Sequence, residues 1–241
     1  MIKNTILNLL ILILTWEVLA YFLNSLFFPS FFDIVRVGIS KVSVEILCGE
    51  VWATVSRSLL AFLIANILSI IFGYLIWSSK LILDTTKFSI DFFRSIPAIV
   101  VFPVFMVFFG INDFSRILTV VFGIFWINLF SVIQILQNLP VATIRYLKST
   151  KASKLDIFRY CICFVFFKNW ISISRVSLSL ALLIMITLEM IIGSNNGIGK
   201  VIIDAKNYFE IDLMYFWIMI TGIIGYFLNT FILRLFTSFL L

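Results

Sequence analysis

Six long apolar segments dominate this chain and restrict what it can fold into. Its residues are 62% hydrophobic and 12% charged, and the mean hydropathy is +1.16. Soluble domains are nearer half apolar and a quarter charged, so a soluble fold of this size could not bury so much apolar surface. A helix that crosses a bilayer needs about 20 mostly apolar residues. The sequence therefore predicts an all-α integral membrane protein with about six transmembrane helices, over residues 6–28, 59–77, 96–111, 117–135, 176–192 and 213–233.

Individual segments carry features that modify this assignment. The first contains Glu17, and its apolar run is too long for a cleaved signal peptide. The third is short, and Pro97 and Pro103 are expected to bend it. The fifth contains Glu189 near its end. Because a charge is costly in lipid, both glutamates are expected to face protein or water.

The distribution of basic residues predicts the orientation. With the N-terminus inside, twelve of the 18 Lys and Arg residues fall on the cytoplasmic side, which the positive-inside rule favours. An even number of spans places both termini in the cytoplasm. We expect a multi-pass protein of the cell (plasma or inner) membrane with a single transmembrane domain over residues 1–241, in contact with membrane lipid.

Composition excludes several functional classes. Histidine is absent, which removes histidine metal ligands and histidine-based catalysis. The three cysteines are odd in number, and the Cys161-Ile-Cys163 spacing is too short for a usual zinc pair. We therefore expect no metal, no cofactor, no catalytic residue and no nucleic-acid partner. The run Gly193–Lys200 lacks the spacing of a phosphate-binding loop, so the chain is not expected to hydrolyse ATP.

The stretch 137–175 is the one long polar and basic interruption, with seven basic residues and one acid. Residues 141–168 are predicted to be helical, with a turn near Ser149–Ser153. A helix-turn-helix elbow of this kind suits insertion into a groove on a partner. The alternative is a solvated basic loop that merely follows the positive-inside rule.

Short sequence blocks across nearly the whole chain resemble one family. These blocks are Trp16-Glu17, residues 54–62, Phe93–Pro97 with Pro103, residues 109–116, and Thr187–Gly199 followed by Asp204-Ala205 and Asp212-Leu213. They resemble the permease subunits of ABC importers, the binding-protein-dependent inner-membrane components, and especially the nitrate, sulfonate, taurine and thiamine-precursor branch.

The resemblance implies a type I importer permease fold and a set of partners. It implies a second permease copy in a homodimer, a cytoplasmic dimer of ABC ATPases and an extracytoplasmic solute-binding protein. The cargo would be a small polar solute, either a sulfonate-, nitrate- or taurine-like anion or a pyrimidine precursor of thiamine. Residues expected in the pathway or in span packing are Glu17, Pro97, Glu189 and Gly193. Asn66, Asn128 and Gln134 are expected to bridge helices.

The signature by which such permeases couple to their ATPase is degraded here. Its Glu-Ala-Ala positions appear as Arg145, Tyr146 and Leu147, and its glycine appears as Lys151. Either the turn differs, or the partner's groove is reshaped, or coupling has decayed. The last case leaves a non-transporting scaffold or relic permease as the alternative function. The predicted ATPase-coupling residues are Arg145, Lys148, Lys151, Ala152, Ser153, Asp156, Phe158 and Arg159.

Overall fold

In a computed structural model, the protein is described over residues 2–139, 141–150, 153 and 166–240. Its secondary structure within these ranges is helical, which confirms the all-α prediction. The helices are α1 (Ile2–Leu23), α2 (Phe31–Lys41), α3 (Val44–Ser78), α4 (Lys80–Ser95), α5 (Ala98–Phe109), α6 (Asp113–Gln137), α7 (Val141–Ser149), α8 (Phe167–Ile192), α9 (Ile198–Asn207) and α10 (Ile211–Leu240).

Four of the described helices are long and apolar enough to cross a membrane. They lie over Val44–Ser78, Asp113–Gln137, Asn169–Ile192 and Ile211–Thr230, and the pair α4 and α5 adds a fifth if it forms one broken span. The first predicted span, residues 6–28, corresponds to α1, whose described apolar part, Leu10–Leu23, is shorter. The described residues thus provide four or five candidate spans where the sequence suggested about six. The inside location of both termini stays a prediction.

The third predicted span, residues 96–111, corresponds to α5, and a sharp bend lies at its start. Helices α4 and α5 meet at an angle of 92°. Ile96 has an extended backbone and Pro97 caps α5. A residue before proline is disfavoured in the helical conformation, because its backbone and Cβ clash with the proline ring. The bend therefore arises at Pro97, and α4, which contains five charged residues, was not predicted.

Helix α3 begins fifteen residues before the predicted span at residue 59. Its 35 residues give a length of about 52 Å, well beyond the roughly 30 Å hydrocarbon core. The predicted span did not include the polar residues Thr54 and Ser58, yet both side chains are fully buried. Hydropathy therefore marked the lipid-crossing part of α3 and missed its extension.

The regions between the spans are more structured than their composition indicates. The segment after Pro29 forms the short helix α2. The helix predicted to begin at residue 141 is α7. The second helix of the predicted elbow lies outside the described residues. The run after Gly193 contains helix α9, in which Ile198, Ile202 and Ala205 are buried.

The contacts divide the chain into two compact units. The first comprises Met1–Thr54 and Glu189–Ile224, and the second comprises Val55–Leu188 and Gly225–Leu241. The single-domain assignment of the sequence stays a prediction.

A polar bridge lies in the core of the second unit. Asn128 of α6 is fully buried, donates to Asn66 Oδ1 of α3 at 3.4 Å, and accepts a hydrogen bond from Ser177 of α8. Such bonds between spans contribute about 0.6 kcal/mol on average in membrane proteins. They fix which faces of α3, α6 and α8 meet. Gln134, also expected to bridge helices, is exposed at the end of α6.

Candidate functional site

Glu189, near the end of α8, has a fully buried carboxylate. Thr54 Oγ1 donates to it, at 2.8 Å from Oε2 and 3.1 Å from Oε1. The backbone N–H of Gly199 donates to Oε2 at 3.0 Å. A buried charge is tolerated when hydrogen bonds replace its hydration, and these donors provide such a shell.

Three side chains together satisfy the first amides of α9. The N–H of Gly197 donates to Glu50, that of Ile198 to Thr54 Oγ1 at 2.8 Å, and that of Gly199 to Glu189. The first N–H groups of a helix have no partner within the helix, and its N-terminus carries partial positive charge. Two carboxylates and a hydroxyl supply both the acceptors and the negative charge. We call Glu50, Thr54 and Glu189 the α9 clamp.

Gly197 leaves room for the Glu189 carboxylate of the α9 clamp. Its backbone has φ 132° and ψ 158°, a region that is essentially restricted to glycine. A Cβ at this position would lie 2.5 Å from the carboxyl carbon of Glu189. The carboxylate thus occupies the space that any side chain would need.

Sequence reasoning found one of the three clamp residues. Glu189 was singled out as a charge within a span, whereas Glu50 and Thr54 were given no role. A signal for α9 was present in Ile198, Ile202 and Ala205, which share one helical face. Nothing local indicated that Thr54 would meet a residue 135 positions away.

Glu17 has a similar role at another helix start. Its Oε1 accepts the backbone N–H of Phe32 at 3.2 Å, in the first turn of α2. Ser30 caps the same helix by accepting the N–H of Asp33 at 3.1 Å. Trp16 Nε1 donates to the carbonyl oxygen of Pro29 at 3.0 Å. The Trp16-Glu17 pair therefore holds the connection between α1 and α2.

Substituting Glu17 with alanine should lower the free energy of unfolding by about 1 kcal/mol, the usual worth of a helix cap. Glu17→Gln should retain most of the stability, because its amide oxygen can accept the same N–H. Glu45→Ala, which removes an exposed glutamate from the first turn of α3, is the control. Unfolding in mixed micelles measures all three, and equal losses for Glu17→Ala and Glu17→Gln would contradict the capping role.

The second unit contains a charged cluster at the start of α6. Asp113 Oδ2 lies 3.0 Å from Nε of Arg57, and its Oδ1 lies 2.6 Å from Nη1 of Arg116. The two arginine side chains are 10% and 6% exposed. Asn112 caps α6 by accepting the N–H of Ser115 at 3.0 Å. The cluster joins α3 to α6, and the sequence had assigned it no role.

The other predicted site residues are dispersed. Pro97 lies at the bend before α5, and Gly193 follows α8 with φ 79°. Arg145 is exposed on α7, which also contains Lys148, and Ser153 is exposed. The predicted coupling residues Lys151, Ala152, Asp156, Phe158 and Arg159 lie outside the described residues. The coupling role stays a prediction, as do the pathway or packing roles of Glu17, Pro97, Glu189 and Gly193.

Comparison with known families decides the class of the protein. Residues 65–240 match the family described as the binding-protein-dependent transport system inner membrane component. The chain belongs to this family. Its membership confirms the predicted kinship with ABC importer permeases.

Two relatives extend the match toward the N-terminus. A Bacillus subtilis (strain 168) protein, SsuC, described as a candidate aliphatic sulfonates transport permease, is 27% identical over 192 residues, covering 77% of this chain and 67% of the relative. A Methanocaldococcus jannaschii protein, described as a candidate ABC transporter permease, is 23% identical over 218 residues, covering 88% of this chain and 82% of the relative. Both names agree with the family.

A solved structure supports the fold of this family member. The MetNI methionine ABC transporter, in an inward-facing conformation, contains a chain similar to this one with a TM-score of 0.65 and 17% sequence identity. The similarity covers 82% of this chain and 99% of that one. The fold is that of an ABC importer permease.

Proposed function

We propose that this family member is the permease subunit of an ATP-driven importer and forms the pathway for a small polar solute. The match of residues 65–240 to a binding-protein-dependent permease family carries the proposal. The solute would arrive on an external binding protein. ATP would be hydrolysed by a dimer of separate cytoplasmic subunits, and two copies of this chain would enclose the pathway.

For the cargo, we propose a sulfonate-like organic anion. The support is the name of the Bacillus subtilis relative, described as a candidate aliphatic sulfonates transport permease. Nitrate, taurine and a pyrimidine precursor of thiamine are the alternatives from the same branch. Uptake of a labelled alkanesulfonate by cells that contain or lack this chain tests the choice, with an unlabelled pyrimidine precursor of thiamine as competitor.

Co-purification tests the proposed function directly. The tagged protein, extracted from its own membranes, should bring an ABC ATPase with it, and ATPase activity should be measurable in the complex. Arg145→Glu on exposed α7, or Lys151→Glu together with Asp156→Lys, should release most of the ATPase, because these changes reverse charge within the predicted elbow. Arg36→Glu reverses an exposed charge on α2, on the predicted outer side, and should release none.

The degraded coupling signature favours one alternative, a scaffold or relic permease without ATPase. A protein that is folded and membrane-inserted but purifies with no ATPase would overturn the importer proposal and support the alternative. Equal release by Arg145→Glu and Arg36→Glu would place the ATPase contact elsewhere than on the elbow.

A further inference from the structure

An open cavity of about 630 Å³ lies within the first unit, where the end of α1, the turn after it, α2 and the start of α10 meet. We call it the α1–α10 cavity. Small molecules bind in cavities of roughly this size. Charged side chains of both signs line it, namely the carboxylates of Glu17, Asp33 and Asp212 and the guanidinium of Arg36. The cavity is therefore a candidate site for a ligand that carries both charges.

Two of these charged groups, on Asp212 and Arg36, are available to a ligand. Glu17 and Asp33 already accept hydrogen bonds within the fold, at 3.2 Å from a backbone N–H of α2 and at 2.7 Å from the hydroxyl of Ser30. Asp212 is partly buried and Arg36 is exposed, and neither charged group forms a hydrogen bond or an ion pair with any residue that the structure describes. A molecule with a positive and a negative group would satisfy both side chains at once.

The α1–α10 cavity lies at the depth of lipid headgroups. Helix α1, apolar over Leu10–Leu23, ends beside it, and the candidate span Ile211–Thr230 begins beside it. Trp16 stacks on Phe28 at 4.5 Å and packs edge-on against Tyr215 at 5.7 Å in the same region. Trp and Tyr side chains concentrate at the membrane boundary. The ends of two membrane helices and these aromatic rings place the cavity between hydrocarbon and water.

An apolar surface adjoins the charged lining. Tyr21 and Leu26, which are 83% and 91% exposed, line the same cavity. Leu14 and Val18, also exposed, precede Tyr21 by seven and three residues and therefore share its face of α1. This face leads from the cavity along the apolar helix. A soluble zwitterion would make no use of it, whereas the acyl chains of a phospholipid would pack along it.

We infer that the α1–α10 cavity binds the headgroup of a zwitterionic phospholipid whose amine is ethanolamine. A primary ammonium has three N–H donors, which suit the carboxylate of Asp212, whereas the quaternary ammonium of choline has none. Arg36 binds the phosphate, because guanidinium groups pair with phosphate oxygens in a bidentate manner. The acyl chains extend along the exposed face of α1. In the predicted orientation this lipid belongs to the outer leaflet.

The charge of the cavity distinguishes this ligand from two others. Its three carboxylates outnumber its one guanidinium, so an anionic headgroup would meet net repulsion. The part of the chain that the structure describes contains no group of three or more His, Cys, Asp or Glu side chains suited to hold a metal ion. An organic ammonium balances the excess negative charge, and its attached phosphate satisfies Arg36.

Lipid binding by the purified full chain tests the inference. Native mass spectrometry with equal amounts of phosphatidylethanolamine, phosphatidylcholine and phosphatidylglycerol should show about a tenfold preference for the ethanolamine lipid, because a hydrogen bond to a charged group contributes about this factor to an equilibrium constant. Asp212→Asn combined with Arg36→Gln should abolish the preference. Asp84→Asn combined with Lys87→Gln, which removes an exposed ion pair of 2.8 Å from α4, should leave it within about twofold.

Charge reversal gives a second variant with a readout that a purely structural role would not change. Asp212→Arg places a second guanidinium in the cavity and should shift the preference to phosphatidylglycerol. Soluble O-phosphoethanolamine should bind far more weakly than the lipid, because it lacks the acyl chains.

Three results would overturn the inference. They are equal binding of the three lipids by the wild-type protein, an unchanged preference in both Asp212 variants, and binding of O-phosphoethanolamine as tight as that of the lipid, which would assign the cavity to a soluble zwitterion. The measurement needs neither an ATPase nor a cargo. Its failure therefore leaves the proposed import function standing, and loss of the import function leaves this lipid site standing.

Discussion

Replacing Gly197 with alanine should destabilise the protein by about 3 kcal/mol or more, because two costs combine. A side chain in this backbone region costs about 1–3 kcal/mol. The new methyl group would also lie 2.5 Å from the Glu189 carboxyl carbon, so the carboxylate must move. It would then lose hydrogen bonds from Thr54 and Gly199, and bonds to a charged group contribute about 1.5–3 kcal/mol each. Unfolding in mixed micelles measures the loss.

Two controls separate strain from collision at Gly197. Gly193 also has a positive φ of 79°, but a Cβ there would meet no atom within 4 Å. Gly193→Ala should therefore lower the free energy of unfolding only by the cost of backbone strain, about 1–2 kcal/mol. Glu189→Ala removes the group that the new methyl would meet. The double variant Glu189→Ala, Gly197→Ala should thus lose at least about 1 kcal/mol less than the two single losses predict together.

Additive losses in this cycle would mean that Gly197 and Glu189 do not interact through the predicted contact. The clamp would then contribute less to the position of α9 than its geometry indicates. A further check is Glu189→Gln, which keeps the shape and one acceptor oxygen. The free energy of unfolding of Glu189→Gln should lie between those of the wild-type protein and Glu189→Ala.

Substitution of Gly123 with leucine should have the other large effect, in the second unit. A Cβ at Gly123 in α6 would lie 2.6 Å from Ala98 Cβ of α5 and 2.8 Å from Ile184 Cδ1 of α8. Overpacking costs about 1–3 kcal/mol and occasionally more. Leucine adds three further carbons beyond that Cβ at a contact of three helices. We therefore expect the variant to be destabilised by at least about 3 kcal/mol. The free energy of unfolding and the fraction of monodisperse protein measure the effect.

Gly225 of α10 provides the matched control for Gly123. It is also a helical glycine, but a Cβ there would meet nothing within 4 Å. Gly225→Leu should be neutral or slightly stabilising, because leucine is a better helix former than glycine. If Gly123→Leu were as well tolerated as Gly225→Leu, the close approach of α5, α6 and α8 at this position would be wrong.

The two glutamates within apolar segments show where sequence reasoning about a membrane protein reaches its limit. A glutamate in an apolar segment predicts a functional site by default, and Glu17 and Glu189 both fit that pattern. The structure directs each of them to backbone amides at the start of a short helix. Both glutamates are easily recognised because they lie in apolar segments, but the sequence did not predict their hydrogen-bond partners.

Local pattern by itself determined the helical class, the positions of the apolar cores of the spans, and the family. The first two features depend on hydropathy, which a bilayer imposes on consecutive residues of a span, and the family depends on short sequence motifs. The extension of α3 escaped this reasoning because Thr54 and Ser58 are polar, although they are buried in the fold. Helix α9 escaped because ten residues with mixed polarity resemble a loop.

Tertiary structure alone decided which groups meet. Thr54 and Glu189 are 135 residues apart, and Asn128 connects to Asn66 and Ser177 across 62 and 49 residues. Long-range partners of this kind depend on how helices pack, which neither periodicity nor hydropathy encodes. The 92° bend before α5 combines both levels: Pro97 breaks the helix locally, and both α4 and α5 pack against α6.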